Sequence, residues 1–475
     1  MILNFATTGG HFDSHDGIFY FLVAENVVIN QSIKIDPNSP SVKTLNFDQN
    51  IENFIKFWIP EIYPNYLNGE KTPFFMPGSI LGPLLAVPAY LVASITNTDV
   101  TNVVPFFTNS IIISLTSLFI FLISKNLFKS YKISFILALV YNCTTFVWPY
   151  NTSFFLQPPL ALTFVISIYF LIKNSQGSQF LNFALAGFFL GLSILIHPSA
   201  GFLIPGFLVY GIIKSKSWKN YGIFIIVFII ISTIQLVVNY LKYDSLLDFG
   251  YSGIPVVSDH SHWEGMVGLL FSPGWGLIFY FPLVILIPLS FSKIFHKDKE
   301  WLFLVLYSFV SVWIFFGTEA TPHWSGFGAW GPRYFIPILP LLVISLGYLF
   351  YQNKRNTKIF FFVLASIGFF INLIGKLVWY MTGYSYGWGM ENLLKKENPF
   401  EYFAWIPYFS PIMEHLKVLV SNYGFDIVNP ITKTSGCSID VFVYCMGGIG
   451  IGLMMFALII GLGVIIWKKI EHVEC

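Results

Sequence analysis

Tyr221–Val238 reads YGIFIIVFIIISTIQLVV, a run with no charged residue, and it decides the fold. A helix needs about 20 apolar residues to cross the roughly 30 Å hydrocarbon core. No water is available there, so the backbone must satisfy its own hydrogen bonds within each helix. Similar runs lie near 103–124, 133–150, 158–173, 181–197, 199–213 and 221–241, and again near 277–291, 301–317, 334–351, 358–380 and 446–467. They are too long and continuous for barrel strands, which alternate. Hydrophobic residues make up 55% of the 475 positions and charged residues only 11%, against roughly 25% charged in soluble chains. A water-soluble fold is excluded. The expectation is an all-α polytopic transmembrane bundle of about eleven spans with outward-facing loops.

Sidedness comes from the loops. Lys125, Lys129, Lys132, Lys173, Lys214, Lys216, Lys219, Lys293, Lys297, Lys299, Lys354, Arg355, Lys358, Lys468 and Lys469 fall on one side, facing only Asp298, Glu300, Glu471 and Glu474. The positive-inside rule makes that side cytoplasmic. The long segments 1–102, 242–276, 318–333 and 381–445 then face outward, rich in Trp, Tyr, Pro and Asp. The working surface is expected there. Net charge is only +2, so nothing suggests nucleic acid. Four cysteines without a CxxC pair imply neither a zinc ribbon nor a disulfide framework. Cys437 and Cys445, both outward, read equally as a pair or as two free thiols.

Residues 78–97 (GSILGPLLAVPAYLVASITN) are apolar enough to span, yet a span there would break the alternation. Gly78, Gly82, Pro83 and Pro88 interrupt a straight helix, so an interfacial or re-entrant helix on the outer face is expected. Before the acidic loop that begins by residue 11 stand only Met1–Thr8, with no basic n-region or apolar core of a signal peptide. An outward first loop needs an anchor. A further apolar span of about 20 residues upstream is the expectation, and a shortened chain is the alternative.

Several outward stretches hold candidate chemistry. His11-Phe-Asp13-Ser-His15-Asp16-Gly17-Ile-Phe-Tyr20 packs two carboxylates and two imidazoles into one turn of loop. Asp16 reads as the N-cap of an amphipathic helix over Gly17–Asn30, or as a carboxylate base or metal ligand at the membrane surface. Lys71, in Glu70-Lys71-Thr72-Pro73, is a snorkelling anchor or a point charge for a lipid-linked phosphate. Trp148-Pro149-Tyr150 reads first as an interface anchor, and His197-Pro198 as a satisfied polar turn. Trp324-Ser-Gly326-Phe-Gly328-Ala-Trp330-Gly331-Pro332-Arg333-Tyr334 sets an always-charged guanidinium among aromatics and glycines at the mouth of a span. An anchor and a bidentate phosphate ligand are equally good readings.

Asp16-Gly-x-x-Tyr20, Glu70-Lys71-Thr-Pro73, Trp148-Pro149-Tyr150, Tyr240-Leu-Lys-Tyr-Asp-Ser-Leu, Phe271-Ser-Pro-Gly-Trp-Gly276 and Trp330-Gly-Pro-Arg-Tyr334 follow one another on alternating outward loops. In that order they resemble the GT-C superfamily of polytopic glycosyltransferases. The nearest likeness is to archaeal and bacterial relatives of protein O-mannosyltransferases and of aminoarabinose transferases acting on lipid A. The resemblance covers the chain up to about residue 385. It implies an integral protein of an archaeal or bacterial plasma membrane that moves a sugar from a polyprenyl-phosphate donor to a lipid, glycan or protein acceptor on the outer side. It implies Asp16 as the residue that activates the acceptor or helps hold a divalent metal, with Asp13 as the alternate carboxylate. Lys71 and Arg333 would bind the carrier phosphate, and Tyr20, Tyr150, Tyr240, Trp330 and Tyr334 would line the substrate.

One departure stands out: relatives carry an acid near Phe154–Pro158, where this chain has Gln157. The implied organisation is an outward first loop over 1–102 with amphipathic and interfacial helices and a transferase core over 103–385. An outward loop region over 386–445 and a last span with cytoplasmic tail over 446–475 complete it. Two other readings are a flippase for lipid-linked sugars and a non-catalytic subunit of the same fold. Span centres almost free of ionisable residues weigh against a transporter, as does the lack of an evident repeat of the two halves.

Overall fold

The computed structural model describes residues 1–9, 15–45, 51–52, 55–56, 68, 71–173, 179–215, 217–251, 262–318, 322–326, 329–352, 355–378, 399–420, 454 and 457–470. Asp13, Glu70, Cys437, Cys445 and the first part of the expected last span, apart from residue 454, lie outside these residues. Among the described residues, regular structure is helical apart from one isolated bridge, Ile35 to Phe74.

The first-loop elements are α1 (Ile2–Thr7), α2 (His15–Asn30), α3 (Pro40–Thr44), α4 (Leu81–Leu84) and α5 (Val87–Thr96). The bundle follows with α6 (Val100–Phe128), α7 (Tyr131–Thr144), α8 (Gln157–Ile172), α9 (Gln179–Ile196), α10 (Ile204–Lys214) and α11 (Trp218–Tyr243). Beyond it come α12 (His262–Phe271), α13 (Ile287–Lys297), α14 (Lys299–Gly317), α15 (Leu339–Leu346), α16 (Arg355–Leu377), α17 (Pro399–Trp405) and α18 (Pro411–Val420). Among the described residues, six helical runs are long and apolar enough to cross a membrane: α6, α9, α11, α14, Arg333–Tyr351 and α16. The shorter apolar helices Leu81–Thr96, Gln157–Ile172 and Ile204–Lys214 accompany them.

Local chemistry sets the ends. Asp99 caps α6 by accepting from the Thr101 amide at 2.9 Å, and Lys129 closes the helix at φ 54°. Ser130 then caps α7 through the Ile133 amide at 3.3 Å. Only Lys129 and Ser130 separate the two helices, so they pack as an antiparallel hairpin. Proline breaks two of the expected spans. Pro282 and Pro288 divide 277–297 into Leu277–Tyr280, a tight turn Pro282–Leu286 and α13. Pro337 and Pro340 do the same to Arg333–Ile338 and α15. Each proline removes an N–H donor, so the helix tightens or restarts.

The interior lies around Arg333–Tyr351, of whose apolar window 83% is buried, against 11% for α11 at the periphery. Where α9 meets α11, a Cβ on Gly187 would stand 2.2 Å from the Phe224 carbonyl, and one on Gly191 2.7 Å from Ile231. Small residues are what permit such close backbone approach in lipid.

Residues assigned to one side meet at one end of the bundle. Lys214 and Asp298 pair at 3.3 Å, and Lys297 lies over the Tyr351 ring. Thr152, Trp330, Arg333 and Asp16 gather at another end. The 78–97 segment is a broken helix, interrupted at Leu85–Ala86 and closed by Asn97 at φ 53°. In α2 the outcome differs from an amphipathic helix with a solvated face. Ile18, Phe19, Phe21, Leu22, Val23, Ala24, Glu25 and Asn26 are all buried, because α4 and α5 cover it together with Val42, Phe74 and Phe154.

Two outcomes test this packing. Gly187→Val overfills the α9–α11 crossing, a change that typically costs about 1–3 kcal/mol, so the thermal midpoint in detergent should fall; an unchanged midpoint contradicts the crossing. Glu25, buried and accepting from Ser41 Oγ at 2.5 Å, has its carboxyl pushed above 4.5, chiefly by burial. Its ionised form therefore costs stability, and that cost grows as pH rises from 4.5 through the raised folded value. Glu25→Gln keeps an acceptor for Ser41 and cannot ionise. Its midpoint, relative to the parent, should rise with pH over that window, and a pH-independent difference would refute the assignment.

Candidate active site

Arg333 is placed by the loop before it. Trp330 is almost wholly buried; its Nε1 donates to Asn372 Oδ1 at 3.2 Å, and its carbonyl accepts from the Tyr150 hydroxyl at 3.2 Å. Asn372 in turn donates to the Tyr280 carbonyl at 3.0 Å and the Thr144 carbonyl at 3.3 Å. One amide side chain on α16 thus ties together the second outward turn, the 277–280 turn and the Arg333 loop. Gly331 has φ +70° against the Tyr280 ring, and Gly326 has φ +68° with Arg333 Cγ 2.9 Å from where a Cβ would sit. L side chains rarely take that conformation. Glycine is required here by both backbone and space.

The guanidinium sits 4.7 Å from the Phe155 ring centroid and 5.5 Å from that of Tyr334, whose own ring stacks on Phe316 at 3.9 Å. Arg333 Nη1 lies 3.5 Å from Asp16 Oδ2, with the Asp16 side chain 49% exposed and that of Arg333 16%. Arg333 Nε has no hydrogen-bond partner among the described residues. Asp16 is the second residue of α2 rather than its cap, so its carboxylate belongs to the ion pair and to the positive helix N-terminus.

Tyrosines surround the pair. Burial first, then the Asp16 charge, pushes the Tyr20 and Tyr251 hydroxyls above their ordinary value, with Arg333 opposing, so both remain neutral donors. The Tyr251 hydroxyl is 3.0 Å from the Cβ position of Gly78, which brings the 76–78 segment beside the site. Lys242 Nζ donates to the Met76 and Gly78 carbonyls at 2.7 and 3.0 Å and holds that segment down.

The structure therefore joins Asp16, Tyr20, Tyr150, Arg333 and Tyr334. Trp330 acts as the wedge that fixes their loop. Tyr240 is 54% exposed at the end of α11. The Lys71 carbonyl accepts from Asn38 at 3.3 Å, and Asn38 neighbours Ser41, which bonds Glu25. Glu25 is about 14 Å of helical rise along α2 from Asp16, so Lys71 is anchored with the far half of that helix. Gln157 is buried, and its Oε1 has no partner among the described residues.

Two neighbours escaped sequence reasoning. Tyr251 stands in a loop without a repeating pattern. Lys376, fully buried on α16, donates from Nζ to Thr152 Oγ1 at 2.9 Å; a lone lysine near the outer end of a span was the available signal. No group of three His, Cys, Asp or Glu side chains assembles among the described residues, and the one described carboxylate of the site already faces a guanidinium.

Residues 82–238 match the family model described as dolichyl-phosphate-mannose-protein mannosyltransferase. The apo crystal structure of ArnT from Cupriavidus metallidurans superposes with TM-score 0.50 at 10% identity, over 87% of this chain and 73% of that one. The chain is an integral membrane protein that shares the fold of ArnT. A second crystal structure, of the same ArnT bound to undecaprenyl phosphate, gives TM-score 0.49 at 11% identity over the same shares of the two chains. None of the curated proteins matches the sequence. The fold is thus common to two chains with little residue identity, and the site must be argued from this chain's own side chains.

Trp330→Phe removes the indole donor and leaves the buried Asn372 oxygen unpaired, a loss of about 1–3 kcal/mol. A lowered thermal midpoint in detergent is expected. A midpoint equal to the parent's would mean that the Trp330–Asn372 bond does not hold the loop.

Proposed function

We propose that this GT-C protein transfers a sugar from a polyprenyl-phosphate donor to an acceptor hydroxyl at the outer membrane surface. The observation that carries the reading is the Asp16–Arg333 pair, at 3.5 Å, with the carboxylate half exposed and the guanidinium set among aromatic rings. The description of the family matching 82–238 supports a polyprenyl-phosphate sugar as donor.

The chemistry divides between the two residues. Asp16 accepts the proton of the acceptor hydroxyl as its oxygen attacks the anomeric carbon. The bond from that carbon to the phosphate oxygen breaks, and its electron pair leaves on the phosphate. Arg333 binds that phosphate with donors its own contacts leave available, since a guanidinium carries five N–H groups in a fork suited to phosphate. A fixed cation at the point where charge develops is the largest lever such a site has. Tyr20 and Tyr251, as neutral hydroxyls, suit sugar or phosphate oxygens. Lys71, anchored with the far half of α2, is not among the side chains this reading places on the phosphate. The acceptor, whether lipid, glycan or protein, docks against the outward loops.

Gln157 favours a second reading. A neutral amide stands where the resemblance implies an acid, so the protein would bind the carrier without transferring its sugar. One assay separates the two: the chain reconstituted in vesicles with radiolabelled polyprenyl-phosphate sugars, following label to an acceptor. Transfer by the parent is expected. Asp16→Asn should fold normally and lose at least about 100-fold in turnover, within the usual span of a general base. Arg333→Lys should also lose activity, because an ammonium does not reproduce a bidentate contact. An Asp16→Asn chain that transfers at the parental rate removes Asp16 from catalysis, and carrier binding without transfer by the parent establishes the second reading.

A further inference from the structure

His197 stands one residue beyond α9, at the turn that enters the short helix Pro198–Phe202. Its Nδ1 accepts from the Ser199 amide at 3.2 Å and lies 2.8 Å from Ser199 Oγ. A ring nitrogen that accepts a backbone N–H carries no proton. The imidazole is therefore neutral, and its hydrogen is on Nε2, because the bond made by one ring nitrogen sets the tautomer of the other. Nε2 has no hydrogen-bond partner among the described residues, and the side chain is only partly exposed.

The surroundings fix where this donor stands. Ser79 Oγ donates to the Ile194 carbonyl at 2.6 Å, and a Cβ on Gly82 would be 3.1 Å from the Ile196 carbonyl, so the end of α9 packs on residues 79–82. Gly78, at the head of that segment, touches the Tyr251 hydroxyl, and Tyr251 feels both Asp16 and Arg333. Arg333 is also close enough for its charge to act on the His197 ring; together with burial, which has the larger effect, it holds the ring neutral. A neutral N–H beside a guanidinium is a poor proton acceptor and a good ligand for an oxyanion, since it adds a hydrogen bond without a second repelling charge.

We infer that His197 is a phosphate-binding residue, donating Nε2–H to a non-bridging oxygen of the carrier phosphate that Arg333 holds. The inference rests on the donor class given under the proposed function. The alternative is that His197 only caps the Pro198–Phe202 turn through Nδ1.

Two substitutions separate these roles, because each keeps one nitrogen's function. His197→Asn places an amide oxygen where Nδ1 accepts from Ser199 and removes the distal donor. His197→Gln keeps an N–H donor at the reach of Nε2 and gives up the cap. The measurement is binding of undecaprenyl phosphate to the full chain in lipid nanodiscs, with thermal midpoints recorded alongside.

Loss of a hydrogen bond to a charged group corresponds to about a 10- to 100-fold change in affinity. His197→Asn should therefore bind about 10- to 100-fold more weakly with a parental midpoint, while His197→Gln should stay within about threefold of the parent. Parental affinity in His197→Asn overturns the inference. Equal loss in both variants also overturns it, since the imidazole would then act through the turn and not through Nε2. A parent that binds no undecaprenyl phosphate overturns the transferase reading and this inference with it, whereas parental binding with an unaffected His197→Asn overturns this inference alone.

Discussion

A guanidinium at the mouth of a lipid-embedded bundle has to be held without being neutralised, and one end of this protein is organised around that requirement. Arg333 lies over Phe155 from the second outward turn, beside Gly326 and Tyr334 of its own loop, and facing Asp16 from the first. Three loops far apart in sequence meet on one side chain. The ion pair itself contributes little to stability: at 3.5 Å, with a half-exposed carboxylate, it belongs to a class worth roughly 0–1 kcal/mol. Its value is electrostatic. It keeps a carboxylate and a cation at hand in a region where solvent screens them less than in bulk water.

Rigidity is supplied by neutral groups instead. Asn372, through bonds to Thr144, Tyr280 and Trp330, joins elements separated by up to 228 positions in the chain. Tyr150 and Trp330 close the same circuit from the other side. Buried amide and indole groups make these bonds because leaving them unmade in an apolar interior costs about 1–3 kcal/mol each. Asp16 and Arg333 are therefore spared from this structural duty, whereas the ammonium groups of Lys242 and Lys376 bond to the Met76 and Gly78 carbonyls and to the Thr152 hydroxyl.

What the sequence made legible follows from how each signal is generated. Hydropathy and loop charge are summed over many residues, so the helical class and the grouping of loops by side were readable, and Lys214–Asp298 meets as that grouping requires. Breaks within the 277–297 and 333–352 segments come from single prolines whose effect depends on whether neighbours re-satisfy the freed carbonyls, which hydropathy does not report. The burial of α2 was unreadable for a related reason. A helix face looks solvated until its cover is known, and here the cover is α4, α5 and residues as distant as Phe154. Asp16 and Arg333 could be singled out because charge is rare beside apolar runs. Tyr251 and His197 are ordinary residue types in their positions, and only the packing of 76–82 against 194–197 and 249–251 sets them on one segment.

The second outward turn shows how these constraints combine. Gln157 puts a neutral amide in that turn, while Lys376 donates to Thr152 three residues before Phe155, the ring that carries Arg333. A neutral amide in that turn adds no negative charge, so Asp16 is the described carboxylate that balances Arg333. Anions are drawn to the field of a guanidinium and divalent cations are repelled by it, and the effect is largest in low dielectric. A half-exposed carboxylate facing partly unsatisfied guanidinium donors is then the arrangement least disturbed when a phosphate arrives. On the proposed function, a carrier phosphate would take the donors that Asp16 leaves open, while the half-exposed carboxylate would keep its place for an approaching acceptor.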